Sequence, residues 1–202
     1  MEQKITFQAE TFHIEGLISS TESQKRVVIT HPHPLFGGDM YNQVVSSLTI
    51  IYQKMGYQTL RFNFRGVGRS QGTYSDGIGE QQDVIAATDY FKQIHPGPID
   101  LAGYSFGAWV NVNVVKKIED LHQLMLISPP VDFIQFDDSF SIPMLRSVIS
   151  GSNDEYASVD HVSRIVKKWN PNAQLNFIKG ADHFFSGCIS IFEKQLQASL
   201  MN

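Results

Sequence analysis

A serine between two glycines is the residue of this sequence that is best placed to do chemistry. Gly103-Tyr104-Ser105-Phe106-Gly107 follows the pattern G-x-S-x-G, in which a sharp turn between a strand and a helix projects the serine from a sheet. Such a short pattern recurs by chance, so the segments before and after it decide whether it marks a nucleophile. The apolar run 99–102 leads into the turn, and a helical pattern leads out of it. We predict that Ser105 is a nucleophile, the alternative being a plain strand–helix turn with an incidental serine.

A serine hydroxyl needs a base that removes its proton and an acid that orients the base. His183 follows the last predicted strand, and Asp154 follows the strand before it. Loops at the carboxyl ends of parallel strands share one edge of the sheet. We therefore predict a triad of Ser105, Asp154 and His183. Asp132 follows another strand end and is the main alternative acid, whereas Asp182 adjoins the histidine in sequence, where two side chains rarely face each other.

Strand and helix patterns alternate along the chain. Ile5, Phe7, Phe12, Ile14 and Leu17 lie at near-even spacing with polar residues between them, which predicts two half-exposed antiparallel strands. Short apolar runs, typical of strands covered on both faces, lie at 26–30, 57–64, 99–104, 122–128, 144–150 and 174–178. Apolar residues at helical spacing lie at 42–55, 78–94, 106–118, 157–169 and 186–200.

This alternation predicts an α/β fold. We expect a mostly parallel, doubly wound sheet of roughly eight strands with an antiparallel N-terminal edge. No repeat or linker interrupts the pattern, so we predict a single domain over residues 1–202.

The chain resembles the α/β-hydrolase superfamily over nearly its whole length. It is most similar to the small, cap-less bacterial esterase-like branch, which is related in outline to dienelactone hydrolases. The resemblance rests on residues 31–38 (HPHPLFGG), residues 62–70 (FNFRGVGRS), the Ser105 elbow, Asp154 in Gly-Ser-Asn-Asp and His183 in Gly-Ala-Asp-His. The order Ser, Asp, His is the order of that superfamily. Dienelactone hydrolases carry cysteine in place of Ser105, so that parallel concerns the fold. The short segment between Pro130 and Pro143 indicates no substantial cap domain.

The resemblance also implies two backbone N–H groups that hold the negative charge on the attacked carbonyl oxygen. Phe106, directly after the nucleophile, is expected to supply the first. Leu35, in the loop 31–38, is expected to supply the second, with Phe36 as the next choice. Apolar walls of the site are expected from Phe36, Tyr41, Phe106, Phe133 and Phe184.

Two further motifs have structural explanations. His31 and His33 form an H-x-H pair, but no third ligand at suitable spacing supports a metal site, so we expect them to bond loop backbone. The segment at Arg65 lacks the glycine patterns of phosphate and dinucleotide binding. The resemblance implies that it braces a wall of the site, with Arg65 paired to Asp83 or Glu80.

The expected reaction is hydrolysis of a small or short-chain acyl ester through an acyl-enzyme on Ser105, with no metal and no organic cofactor. A thioesterase or an acyltransferase would use the same triad. A catalytically silent binding protein of the same fold is the alternative from another class. A dehalogenase of this fold would carry aspartate as its nucleophile, whereas position 105 is serine.

Composition narrows the partners and the compartment. The formal net charge of -4 offers no basic excess for nucleic acid. The single cysteine, Cys188, cannot form an intrachain disulfide. No apolar run approaches the roughly 18 residues of a membrane span, and the first residues lack the pattern of a secretory signal. We expect a cytoplasmic monomer or homodimer whose partner is a small-molecule acyl substrate, with neither nucleic acid nor membrane bound.

Overall fold

The computed structural model describes residues 2–201, which contain eight strands and five α-helices. The strands are Gln3–Ala9 (β1), Phe12–Ser19 (β2), Arg26–Thr30 (β3), Gln58–Phe62 (β4), Ile99–Tyr104 (β5), Leu121–Ile127 (β6), Leu145–Gly151 (β7) and Gln174–Ile178 (β8). The helices are Gln43–Lys54 (α1), Ile78–Ile94 (α2), Phe106–Val114 (α3), Val159–Trp169 (α4) and Ile189–Met201 (α5). A short 3₁₀ helix covers Pro34–Phe36.

The eight strands form one sheet in the order β1-β2-β4-β3-β5-β6-β7-β8. The pairs β1–β2 and β2–β4 are antiparallel, and all other neighbours are parallel. The expected fold is therefore confirmed, including its antiparallel N-terminal edge. The segment 131–144 holds no helix and no strand, which agrees with the expected lack of a cap.

Apolar side chains cover both faces of the sheet. On β3, Val28 packs in one cluster, and Val27 and Ile29 pack in a second cluster on the opposite face. Helices α2, α3 and α4 contribute to the first cluster, and α1 and α5 contribute to the second. A strand buried on both faces needs apolar residues at nearly every position, which explains why the central strands are continuous apolar runs.

Helix α5 begins three residues later than the sequence pattern indicates. The pattern predicted a start at residue 186, but α5 begins at Ile189. The carboxylate of Asp182 accepts the backbone N–H groups of Phe184 and Ser186, so it holds a turn ahead of the helix. None of the helices in residues 2–201 is long and apolar enough to span a membrane.

Candidate active site

Ser105, His183 and Asp154 lie in one hydrogen-bonded line at the carboxyl edge of the sheet. Ser105 Oγ is 2.9 Å from His183 Nε2, and His183 Nδ1 is 2.9 and 2.8 Å from the two carboxylate oxygens of Asp154. All three residues are buried. A hydrogen on Nδ1 that bonds the carboxylate leaves Nε2 free to accept the serine proton. The predicted base is thus in position to act on Ser105, and the predicted acid is in position to orient that base.

The turn that carries Ser105 is strained in the way that a nucleophile elbow requires. Ser105 has φ 55° and ψ -119°, a backbone conformation that residues other than glycine rarely adopt. Its N–H donates to the carbonyl of Ile127 on β6 at 2.9 Å, which fixes the turn to the sheet. A Cβ on Gly107 would lie 2.7 Å from the carbonyl oxygen of His31. Glycine at that position is therefore needed for α3 to approach the loop after β3.

Asp154 reaches His183 because two loops pack closely together. The N–H of Asn153 donates to the carbonyl of Ala181 at 2.9 Å, and a Cβ on Gly151 would overlap that same carbonyl. The carboxylate of Asp154 also accepts the N–H of Tyr156 at 2.9 Å. These backbone contacts hold the acid and the histidine in register.

The two alternative acids are engaged elsewhere. Asp132 Oδ1 is 2.8 Å from His161 Nδ1, and its Oδ2 accepts the N–H of Ser158 at 2.7 Å. Although partial burial acts in the opposite direction, the hydrogen bonds from Ser158 and His161 lower the pKa of Asp132 below its usual value. Asp182 caps the turn ahead of α5. The geometry therefore favours Asp154 over both alternatives.

The expected oxyanion donors differ in their availability. Within the described residues, the Phe106 N–H donates to no protein acceptor, so it is available to an oxyanion. The Leu35 N–H instead donates to His33 Nδ1 at 3.2 Å, and Leu35 does not line the cavity beside Ser105. The Phe36 N–H donates to the carbonyl of His33 at 3.1 Å. The Leu35 N–H can donate to an oxyanion only if its hydrogen bond to His33 Nδ1 breaks.

His31 and His33 bond the backbone of their own loop, as expected. His31 is fully buried; its Nδ1 donates to the Pro32 carbonyl at 2.7 Å, and its Nε2 accepts the Phe64 N–H at 3.0 Å. Burial lowers the pKa of His31 to about 3, so the ring is neutral at physiological pH. In residues 2–201, no three His, Cys, Asp or Glu side chains are placed to hold a metal ion.

A mainly apolar cavity of about 270 Å³ adjoins the nucleophile. The predicted walls Phe36, Phe106, Phe133 and Phe184 all line it. Tyr41 does not line the cavity. Its ring packs instead against the Arg61 guanidinium, with 5.6 Å from Arg61 Cζ to the ring centroid.

Three aromatic residues that line the cavity were missed by the sequence analysis as wall residues. They are His33, Tyr104 and Tyr156. The position of Tyr156, two residues after the predicted acid Asp154, is a signal that could have pointed to it. His33 was expected only to bond backbone, although it lies in the same loop as the expected second oxyanion donor.

Arg65 does not itself line the cavity; it joins helix α2 to the turn between β1 and β2. Its guanidinium pairs with the fully buried Asp83 at 2.8 Å and with Glu10 at 2.9 Å. Glu80 instead accepts the N–H groups of Ser75 and Gly77 at the start of α2. Of the two partners expected for Arg65, Asp83 is therefore confirmed and Glu80 is not.

Comparisons with known proteins establish the family of the chain. No family model matches the chain. The uncharacterized protein RP471 of Rickettsia prowazekii (strain Madrid E) is 35% identical over 210 residues, covering 98% of this chain and 88% of that protein. The solved structure of an alpha-beta serine hydrolase homologue from Coxiella burnetii is 32% identical, with a TM-score of 0.90 over 98% of this chain and 97% of that one. The chain belongs to the α/β-hydrolase family.

A second solved structure shows which kind of α/β hydrolase this chain is similar to. XC6422 from Xanthomonas campestris, a member of the α/β serine hydrolases without a lid, is 25% identical. It superimposes with a TM-score of 0.88, covering 99% of this chain and 94% of that one. This α/β hydrolase shares the lidless architecture, so the walls of its cavity come from the loops of the core fold.

Proposed function

We propose that this α/β hydrolase cleaves small, uncharged acyl esters through an acyl-enzyme on Ser105. The observation that carries the proposal is the continuous hydrogen-bonded line from Asp154 through His183 to Ser105. Ser105 lines a cavity that is large enough for a small acyl group.

We place the activity in the cytoplasm, because the single cysteine forms no intrachain disulfide that would need an oxidising compartment.

The first half of the proposed reaction acylates the enzyme. His183 Nε2 takes the hydroxyl proton as Ser105 Oγ bonds to the acyl carbon, and the carbonyl oxygen becomes negative. The Phe106 N–H donates to this oxygen, a contribution of about 3–4 kcal/mol for one well-placed donor. Asp154 holds the imidazole in the required tautomer and stabilises its positive charge. His183 then passes its proton to the alcohol as the ester C–O bond breaks.

The second half regenerates the serine. A water molecule gives a proton to His183 Nε2 as its oxygen bonds to the acyl carbon. The same N–H holds the oxygen that becomes negative. When the bond from Ser105 Oγ to the acyl carbon breaks, His183 returns the proton to Oγ, and the carboxylic acid leaves. The chain needs neither a metal nor an organic cofactor for these steps.

The lining of the cavity favours uncharged substrates. Among the residues of 2–201 that line it, none is Lys, Arg, Asp or Glu. A charged acyl group would lose its hydration there without gaining a partner, which costs several kcal/mol. The lining is instead dominated by aromatic rings. Esters of neutral acids are therefore the substrates that this site fits best.

Turnover of p-nitrophenyl esters from acetate to octanoate tests the proposal. We expect the wild type to hydrolyse the shorter esters and S105A to lose about 10³-fold or more of kcat. S139A is the matched control, because Ser139 is exposed and lies away from the cavity. Hydrolysis of thioesters alone would contradict the ester specificity. Equal rates for wild type and S105A would contradict the proposed mechanism.

A further inference from the structure

Aromatic rings form a continuous arc around the nucleophile. Centroid distances between successive rings are 4.7 Å for Phe106–His33, 4.7 Å for His33–Phe36, 6.1 Å for Phe36–Phe133, 5.7 Å for Phe133–Tyr156, 4.9 Å for Tyr156–His183 and 5.4 Å for His183–Phe184. This aromatic arc runs from the oxyanion donor at one end to the catalytic base and Phe184 at the other.

Phe36 and Phe133 form the only step of the arc that joins the loop after β3 to the loop after β6. Their side chains are largely exposed, at 73% and 53%, yet both line the cavity. Large apolar side chains that stay exposed together beside a cavity indicate a surface that binds an apolar group. In a hydrolase without a lid, this Phe36–Phe133 bridge is the part of the wall that can limit what enters.

Backbone hydrogen bonds hold both sides of the bridge. The Phe36 N–H donates to the His33 carbonyl at 3.1 Å within the 3₁₀ helix, and the Phe133 N–H donates to the Pro130 carbonyl at 3.0 Å. Next to Phe133, the Asp132 N–H donates to the Tyr156 carbonyl at 3.0 Å. The bridge is therefore preformed and restricts size through its shape.

The chemistry of the tetrahedral intermediate assigns a direction to each half of the substrate. Its carbon carries the Ser105 oxygen, the oxyanion, the leaving oxygen and the acyl chain. The oxyanion must lie at the Phe106 N–H, and the leaving oxygen must lie within reach of His183 Nε2 to receive a proton. The alcohol therefore leaves past Phe184, the terminal ring, which contacts His183. The acyl chain takes the remaining direction, toward the bridge.

We propose that the aromatic arc separates the two halves of the ester: the Phe36–Phe133 bridge holds the acyl group and limits its length, and Phe184 contacts the leaving alcohol. This inference rests on the proposed ester hydrolase function. It makes Phe36 and Phe133 determinants of acyl specificity and Phe184 a determinant of alcohol specificity. The acyl group that fits is short, apolar and uncharged.

Two substrate series test the assignment in the full-length protein. The acyl series varies the acid from acetate to octanoate with p-nitrophenol as the fixed alcohol. The alcohol series keeps acetate and compares p-nitrophenyl, naphthyl and ethyl esters. We expect F36A and F133A to raise the ratio of kcat/KM for octanoate over acetate by about tenfold, the lower end of the discrimination that one methylene gives in an apolar pocket. Neither variant should change the alcohol series.

F184A should alter the ratios of kcat/KM among the esters of the alcohol series. It should leave the ratios of kcat/KM in the acyl series unchanged. I191A is the matched control, because Ile191 is a large, 52% exposed apolar residue outside the cavity. F36L retains apolar surface without the ring and should give an intermediate shift. Thermal unfolding of each variant checks that it folds.

The outcomes separate the two proposals. If wild type and I191A turn over p-nitrophenyl acetate but F36A and F133A leave the acyl ratio unchanged, the division of the arc is wrong and the hydrolase function survives. Equal shifts in both series would also overturn the division. If wild type turns over neither series, the failure belongs to the proposed function.

Discussion

The backbone N–H of Leu35 donates a hydrogen bond to Nδ1 of His33, with 3.2 Å between the two nitrogens. Burial lowers the pKa of His33, which keeps the ring neutral and Nδ1 able to accept. The donor that the family resemblance assigns to the oxyanion is therefore already bonded within its own loop. The Phe106 N–H has no such partner in the described chain, so the two expected oxyanion donors differ in their availability.

Labelling Ser105 with a fluorophosphonate should draw the Leu35 N–H away from His33. The phosphoryl oxygen occupies the place of the oxyanion, where two donors are favoured over one. We expect the amide resonances of both Leu35 and Phe106 to shift in the NMR spectrum, while the amide of Val84 in α2 does not move. A shift at Gly37 or Gly38 with none at Leu35 would assign the second donor to a different residue.

If Asp154 is the acid that orients His183, substitutions of Asp154 and Asp132 should lower kcat to very different extents. D154N should lower kcat by about 10³–10⁴-fold, because an amide favours the wrong tautomer of His183. D132N should change kcat by less than about fivefold. It should lower the free energy of unfolding by about 1 kcal/mol, since Asp132 bonds Ser158 and His161 instead.

Steady-state kinetics and urea unfolding of both variants measure these two effects separately. A large loss of kcat in D132N with little loss in D154N would exchange the roles of the two acids.

Buried His31 predicts how stability depends on pH. Its pKa is about 3 in the folded chain and about 6.5 in the unfolded chain, so the unfolded state binds the proton more tightly. Stability is therefore unaffected by this group above pH 6.5 and falls as the pH drops from 6.5 toward 3. We expect a loss of about 2 kcal/mol from this histidine between pH 7 and pH 5.

Urea unfolding at both pH values measures that loss. H31N should be less stable than the wild type at pH 7 and should lack this part of the pH dependence. H13Q is the control, since His13 is exposed, and its pH dependence should match that of the wild type. An unchanged slope in H31N would show that His31 does not carry the effect.

Elements buried on both faces were the easiest to predict from the sequence. The bounds of β3 and β5 match the apolar runs 26–30 and 99–104, because a doubly covered strand allows polar residues at few positions. The pairing of Arg65 with Asp83 was one of the two alternatives predicted for Arg65, since a strand end and the following helix are adjacent in such a sheet. The positions of Ser105, Asp154 and His183 at strand ends followed from the same topology.

Contacts between distant segments were the part that the sequence could not provide. Tyr41 has the type and location of a wall residue, but the Arg61 guanidinium holds its ring outside the cavity. The His33–Leu35 hydrogen bond depends on one imidazole orientation, which no residue pattern encodes. The Phe36–Phe133 contact joins two loops nearly a hundred residues apart in sequence. Each depends on side-chain placement that only the assembled fold defines.

Covalent labelling of the full-length protein with a fluorophosphonate, mapped by mass spectrometry of its peptides, tests the central claim most directly. The account predicts one modified residue, Ser105, with labelling that is abolished in S105A and slowed by about 10²-fold or more in H183A. Unmodified wild type, or an adduct on any other serine, would contradict the assignment of Ser105 as the nucleophile of this hydrolase.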